Sequence, residues 1–376
     1  MKILHLTRQY LPGRGGIESY IQALVKLTPA TEGVSRVVTL RRVVGMAPDK
    51  LPVCESIDGT TVYRLNYTGP GRYAVAFGLL DHLRWADIIH VHSADALLDQ
   101  TALLQPLHGR PFVVSTHGGI FHTQFASYLK RAYFHSCTRF NAERAAIILC
   151  DSYSDFETFL PIVATGKLRV VEDGVDLEFA VGVADEDKDK LLIACVGRLY
   201  YSKRLSRLVD FMASLYKRGA AHRLVILGSD WGEAVKLRAQ ITALGLEAKV
   251  EVVTDATDTA KWTLLKRAGY WVSASEYEGF GIALIEAMAC GCLPLVQTNE
   301  SFERILCNLC DCLVDFRDLR PVGEKLIYFD KMTPSARQTL RLLMAARASD
   351  YSWNKVLPKV MEIYRTVRET KHRAIL

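Results

Sequence analysis

Two glutamates, Glu278 and Glu286, stand eight positions apart around the turn Gly279-Phe280-Gly281. The preceding run, Gly269 to Ser275, reads as a buried strand, and Ile282 to Ala289 reads as an amphipathic helix. In that order, strand, turn and helix let the amides of Gly279, Phe280 and Gly281 approach a ligand closely, and the positive end of the helix favours anionic oxygens. An ionised carboxylate accepts hydrogen bonds and donates none, so one glutamate can take a hydroxyl pair of a sugar and the other that of a ribose. The pattern outlines a sugar-nucleotide site. Taken alone, the same residues also fit a pair of solvated surface charges.

Cations with suitable spacing precede the glutamates. Gly197-Arg198 is followed by Lys203 and Arg204, between a strand and the helix Leu205 to Leu215. A planar guanidinium at Arg198 binds two phosphate oxygens while an ammonium at Lys203 adds a point charge, and together they stabilise negative charge growing on a leaving nucleoside diphosphate. Solvated helix-end charges are the plainer reading. Near the N-terminus a strand runs through Gly15-Gly16 into a helix, so these amides can face a phosphate; the loop does not match Gly-x-Gly-x-x-Gly, which argues against a dinucleotide dehydrogenase.

Phe112 to Thr116 reads as a strand ending in His117-Gly118-Gly119 and continuing to His122-Thr123, where open α/β sheets place functional side chains. His117 is the histidine selected for the site. His90 and His92 share a strand face and mimic a metal pair, but without a third ligand nearby they are assigned to packing. Asp185-Glu186-Asp187 superficially offers the Asp-x-Asp of a metal-bound diphosphate. The run to Lys190 is all charge and lacks an apolar strand to aim the carboxylates, so it is read as a solvated linker, and no metal is expected.

These residues need a scaffold of strands with their carboxyl ends aligned. Lys2 to Thr7, Arg36 to Leu40, Thr61 to Leu65 and Ile88 to His92 read as further strands, with a helix from Gly16 to Leu27. Short strands alternating with helices predict a parallel α/β sheet. A second series opens at Leu191 to Val196 and continues through Leu224, Val250, Tyr270 and Leu293. The expected organisation is a Rossmann-like domain over 1–172, a second over 173–352, and a helix over 353–376 that crosses back to the first.

With 376 residues, 49% of them hydrophobic, the chain suits two ordinary domains. Neither a signal-peptide pattern nor a run of about 18 apolar residues is present, so a cytoplasmic protein is expected. Nine cysteines scattered through apolar runs argue for thiols, and the Cys290-Gly291-Cys292 and Cys307 to Cys312 group lacks the paired spacing of a zinc site. A net charge of +6 is mild: it fits an anionic substrate or membrane surface and not a nucleic-acid binder. Phe125 to Phe140 interleaves aromatics with Lys130, Arg131 and Arg139 at helical spacing, which suits either a buried helix or docking on an anionic membrane.

Taken in order, Gly15-Gly16, Ser115 to Gly119, Gly197-Arg198 with Lys203, and Glu278 with Glu286 resemble the family 4 retaining glycosyltransferases over nearly the whole chain. Gly109 to Thr123 and Leu168 to Asp176 look like the α-mannosyltransferases that extend polyprenyl-diphosphate-linked cellobiose in xanthan or acetan assembly. The resemblance implies a GT-B fold, two Rossmann-like domains facing across a cleft. It implies GDP-mannose as donor on the C-terminal domain and a lipid-linked oligosaccharide as acceptor on the N-terminal one, at the inner face of the cytoplasmic membrane, with no cofactor. By motif, Gly15 and Gly16 would approach the donor diphosphate, Arg198 and Lys203 would neutralise it, and Glu278 with the Gly279, Phe280 and Gly281 amides would hold mannose. Glu286 would grip the ribose, His117 would contact mannose or orient the acceptor, and His122 and Thr123 would lie near the acceptor. Retention without an evident nucleophile implies front-face substitution. Two departures are Arg204, where glycine often follows the lysine, and Asp173, where asparagine is usual. Competing readings are another nucleotide-sugar glycosyltransferase of the same family, a UDP-sugar 2-epimerase, and a membrane-docked subunit that binds nucleotide without turnover.

Overall fold

The structure, a computed structural model, describes residues 1–13, 15–43, 50–70, 73–117, 131–180, 184–307 and 309–375. It forms two compact units, Met1–Gly174 together with Trp353–Leu376, and Val175–Ser352.

The first unit is built on an eight-stranded sheet. In chain order its strands are β1 (Lys2–Thr7), β2 (Val34–Leu40), β3 (Cys54–Ile57) and β4 (Thr60–Leu65). A separate small hairpin pairs β5 (Tyr67–Thr68) with β6 (Val75–Ala76), and the main sheet resumes with β7 (Ile88–His92), β8 (Phe112–Ser115), β9 (Ile147–Cys150) and β10 (Leu168–Val170). The spatial order is β10-β9-β8-β7-β1-β2-β4-β3, parallel throughout except for the edge pair β3 and β4. That pair turns through Asp58 and Gly59, both at positive φ, which is the backbone a tight hairpin needs.

Alternation along the strands feeds two cores. Leu4, Ile89 and Val114 pack on one face, while their neighbours Ile3, Ile88 and Val113 pack on the other. The second face is covered by the helices Gly16–Leu27 and Trp353–Ile375, which contribute Ile21, Leu24, Val360 and Tyr364. Strands buried on both faces read as continuous apolar runs, and β7 has every residue buried.

The second unit carries six parallel strands: β11 (Asp189–Val196), β12 (Arg223–Leu227), β13 (Val250–Val253), β14 (Ala268–Ser273), β15 (Leu293–Gln297) and β16 (Leu313–Val314). Their order is β13-β12-β11-β14-β15-β16. The order changes direction between β11 and β14, and the loops leaving the carboxyl ends of those two strands flank the crevice where open sheets bind ligands.

The charged run at the start of this unit departs from the expectation of a solvated linker. Asp185 is buried, and its carboxylate receives hydrogen bonds from Arg337 and Arg341 of the helix Pro334–Ser349 at 2.8–3.2 Å. Burial alone would raise this carboxyl; the two guanidinium groups hold it down at about 2. Local charge along the chain carries no sign of two arginines more than 150 positions away.

Candidate active site

In the second unit β11 ends in Gly197-Arg198 and a short turn, Tyr201–Lys203, that opens the helix Leu205–Lys217. The strand beside it, β14, ends in the loop carrying Glu278. Adjacent strands therefore place the two loops side by side, and Lys203 Nζ lies 2.5 and 2.6 Å from the two carboxylate oxygens of Glu278. Arg204 adopts a left-handed backbone, φ 50°, which costs a residue other than glycine roughly 1 kcal/mol and accounts for the glycine usual there. Its guanidinium pairs with Glu276, as does that of Arg207. Arg198 is exposed and lies over the ring of Trp231, 5.0 Å from its centroid.

The glycine turn is supported from below. Ser301 Oγ donates to the carbonyls of Glu278 and Gly279 at 2.7 and 3.2 Å. Gly281 caps the helix Ile282–Ala289 at φ 100°, and a Cβ there would lie 2.6 Å from Ile305 Cδ1, so glycine is required. Gly279 faces open space. Phe280 has its side chain in the core, against Tyr351 and Arg304, and its carbonyl accepts from the Arg304 guanidinium at 3.3 Å. Glu286 is buried and meets Lys261 Nζ at 2.5 Å. Burial pushes its carboxyl up, with Asp258 and Asp176 adding to the rise and Lys261 opposing it.

In the first unit Gly15 caps the helix Gly16–Leu27 with an extended backbone. Glu18, in the first turn, folds back so far that a Cβ on Gly15 would collide with its carboxylate, whereas Gly16 faces open space. Gln9 Nε2 donates to the same carboxylate at 3.1 Å. The anion over this helix end is thus the protein's own glutamate, with the Gly16 position left bare.

His117 follows β8 at φ 49°. Its ring turns inward: Nε2 is 3.0 Å from His92 Nδ1, and Nδ1 is 3.4 Å from Asp151 Oδ2 and 3.7 Å from Asp173 Oδ1. Both nitrogens therefore have protein partners, and the ring is buried. Burial alone would lower its basicity, but Asp151, Asp173 and Asp155 raise it. The third imidazole that the sequence did not reveal beside His90 and His92 is His5, paired in register with His90 across β1 and β7.

Two groups of side chains come close enough to share an ion, His5 with His90 and His92, and His117 with Asp151 and Asp173. In the first, His90 Nδ1 is taken by the Tyr364 hydroxyl at 2.6 Å and Nε2 by Ser115 Oγ at 2.8 Å. His90 could bind a metal only by losing one of these bonds. The buried thiols Cys290 and Cys292 flank a helix-ending turn, and Cys292 Sγ donates to the Leu265 carbonyl at 3.1 Å.

Residues 15–159 match the Glycosyl transferase 4-like domain and residues 178–326 match Glycosyl transferases group 1. The chain is 32% identical to a GDP-mannose:cellobiosyl-diphosphopolyprenol alpha-mannosyltransferase of Xanthomonas oryzae, covering 97% of this chain and 96% of that one. The chain belongs to the group 1 glycosyltransferases. An enzyme of the same name from Komagataeibacter xylinus is 30% identical over 98% of this chain and 93% of its own. The crystal structure of Anabaena HepE in complex with UDP superposes with a TM-score of 0.77 at 18% identity, covering 97% of this chain and 100% of that chain, and the fold is GT-B.

For this glycosyltransferase the sequence alone missed Lys261, Ser301, Asp151 and His5. Each is brought in by strand order or by a helix from elsewhere in the chain, so spacing carries no signal for it. Gly118, Gly119, His122, Thr123 and Lys130 lie outside the described residues. Arg131 and Arg139 are exposed, as is Phe140, while Phe134 and Thr138 between them are buried. No helix among the described residues is long and apolar enough to cross a membrane.

Proposed function

We propose that this glycosyltransferase moves mannose from GDP-mannose to a polyprenyl-diphosphate-linked cellobiose, with retention at the anomeric carbon, in exopolysaccharide assembly. The observation that carries the reading is the meeting of Lys203, Glu278 and the bare Gly279 turn at the carboxyl edge of β11 and β14. The names of the near full-length relatives support the choice of donor and acceptor.

In this scheme Lys203 releases Glu278 to the incoming donor and turns to the diphosphate, and Arg198 joins it. Glu278 accepts hydrogen bonds from mannose hydroxyls, Glu286 from the ribose, and the amides of Gly279 to Gly281 face the same ligand. The bond from the anomeric carbon to the β-phosphate oxygen breaks as the acceptor oxygen bonds to the same face. The departing phosphate takes the acceptor proton, and the two cations stabilise its charge. Those cations supply the positive charge of the site, so no added metal is required.

A lipid-linked acceptor brings the enzyme to a bilayer. Arg131 and Arg139, with exposed Phe140 beside them, form a surface suited to anionic headgroups on the cytoplasmic side. The test offers radiolabelled sugar nucleotides to membranes containing polyprenyl-linked glucose or cellobiose. Label should pass from GDP-mannose to the cellobiosyl lipid; transfer from another donor alone, or epimer formation from a UDP-sugar without acceptor, would overturn the assignment.

A further inference from the structure

A column of imidazoles crosses the first unit beneath His117. His5 Nδ1 lies 3.1 Å from His92 Nε2, and His92 Nδ1 lies 3.0 Å from His117 Nε2. His5 and His92 are fully buried within the sheet, and the rings of His90 and His92 lie 4.0 Å apart between centroids. Two carboxylates, Asp151 and Asp173, close the column at His117 Nδ1.

The bonds permit one direction when the column is neutral. Facing two carboxylates, His117 Nδ1 carries a proton, so its Nε2 accepts. His92 must then donate from Nδ1 and accept at Nε2, and His5 must donate from Nδ1. That leaves a bare lone pair on His5 Nε2, and His5 Nε2 is a buried ring nitrogen without a hydrogen-bond partner among the described residues. The opposite direction would strand a buried N–H there, the costlier orphan. The carboxylates and the orphan select the same tautomer, and the spacing makes each link a hydrogen bond.

We infer that His92 and Asp173 are positioning residues for His117, bracketing its ring and so fixing the left-handed backbone with which the chain leaves β8. Neither touches substrate. The groups facing His117 are His92 and His90 from β7, Tyr20 from the helix Gly16–Leu27, Asp151 after β9, Asp155 from the helix Tyr153–Phe159 and Asp173 after β10. Asp173 is the departure from asparagine noted in the sequence, and here it gives His117 a second carboxylate.

The inference rests on His117 belonging to the transfer site, so its test includes a readout independent of turnover. In protein labelled with nitrogen-15 histidine, His5 and His92 should carry their protons on Nδ1 at a pH above the His117 inflection, where His117 is neutral; a proton on His92 Nε2 there overturns the proposal without any variant. His92→Leu removes the donor, and His92→Asn keeps an amide N–H near the place of Nδ1. The first should lower kcat on the order of tenfold, about 1.4 kcal/mol, with KM for GDP-mannose unchanged, and the second should restore most of it. Equal rates in the two variants would sink the proposal. Asp173→Asn should move the His117 inflection in the pH profile downward, because it removes an opposite charge; an unmoved inflection counts against the role. If wild-type enzyme fails to transfer mannose at all, the donor assignment fails while the tautomer result still decides the column.

Discussion

Lys203 and Glu278, 75 positions apart, form a two-pronged ion pair with Nζ 2.5 and 2.6 Å from the carboxylate oxygens. Each residue keeps the other in the site before any ligand arrives, and both remain partly accessible, with 24% and 13% of their side chains exposed. The pair sets a carboxylate able to accept from sugar hydroxyls beside an ammonium able to neutralise a phosphate.

Removing either partner should therefore affect transfer far more than folding. Glu278→Gln and Lys203→Met are each expected to lower kcat/KM by about 100-fold or more, and the double variant by less than the product of the two. Arg198→Ala should lose most transfer as well. Steady-state kinetics with urea unfolding alongside checks this; strictly multiplicative losses would mean the two side chains act independently.

Glu286 must be ionised to accept from ribose hydroxyls, and burial already pushes its carboxyl up. Lys261→Met removes the opposing charge and raises it further. A raised carboxyl loses its charge at higher pH, so as pH falls KM for GDP-mannose should begin to climb at a higher pH in the variant than in wild type. KM profiles that begin to climb at the same pH would place the ribose elsewhere.

The two glycines of the turn separate stability from ligand approach. Gly281→Ala puts a Cβ 2.6 Å from Ile305 Cδ1 on a backbone at φ 100°, so it should destabilise by roughly 1–3 kcal/mol. Gly279→Ala meets open space and should leave stability within about 0.5 kcal/mol while weakening donor binding. Thermal unfolding and GDP titration of the pair distinguish the cases.

Acid should unsettle the first unit selectively. Burial lowers His5 to about 3 and lowers His90 and His92 in the same direction. A histidine whose folded value lies below the unfolded value near 6.5 contributes stability above that value and loses it as pH falls toward the folded one. For His5 alone the loss between pH 7 and pH 5 is on the order of 2 kcal/mol. His117, raised, works the opposite way and offsets part of this. Calorimetry at pH 7 and 5 should show the first unit's transition falling furthest; equal shifts in both units would contradict the account.

Asp185 is compensated by two buried arginines. Asp185→Asn should cost about 3–5 kcal/mol, because both guanidinium groups would remain buried with one charge fewer to face. A urea midpoint close to wild type would show that the ions relax into water.

The scaffold was largely legible. β1, β7, β8 and β14 read as apolar runs because they are buried on both faces, and the helices Gly16–Leu27 and Ile282–Ala289 are framed by glycine. β3 escaped notice because it is a half-exposed antiparallel edge with no alternation to read. Of the site, the spacing of Glu278 and Glu286 and the cations after β11 were visible, being local to loops. The partners were not: Lys203 meets Glu278 through the adjacency of β11 and β14, and His5 meets His92 through that of β1 and β7, relations that exist only once strand order is set.

The hydrogen bond between the Tyr364 hydroxyl and His90 spans 274 positions of sequence. Tyr364 lies beyond the whole second unit, so a nascent chain leaving the ribosome has completed 175–352 before it can cover β7. The half of the protein that is translated first is accordingly the last to be sealed, because this face of its sheet is completed by residues of the helix Trp353–Ile375.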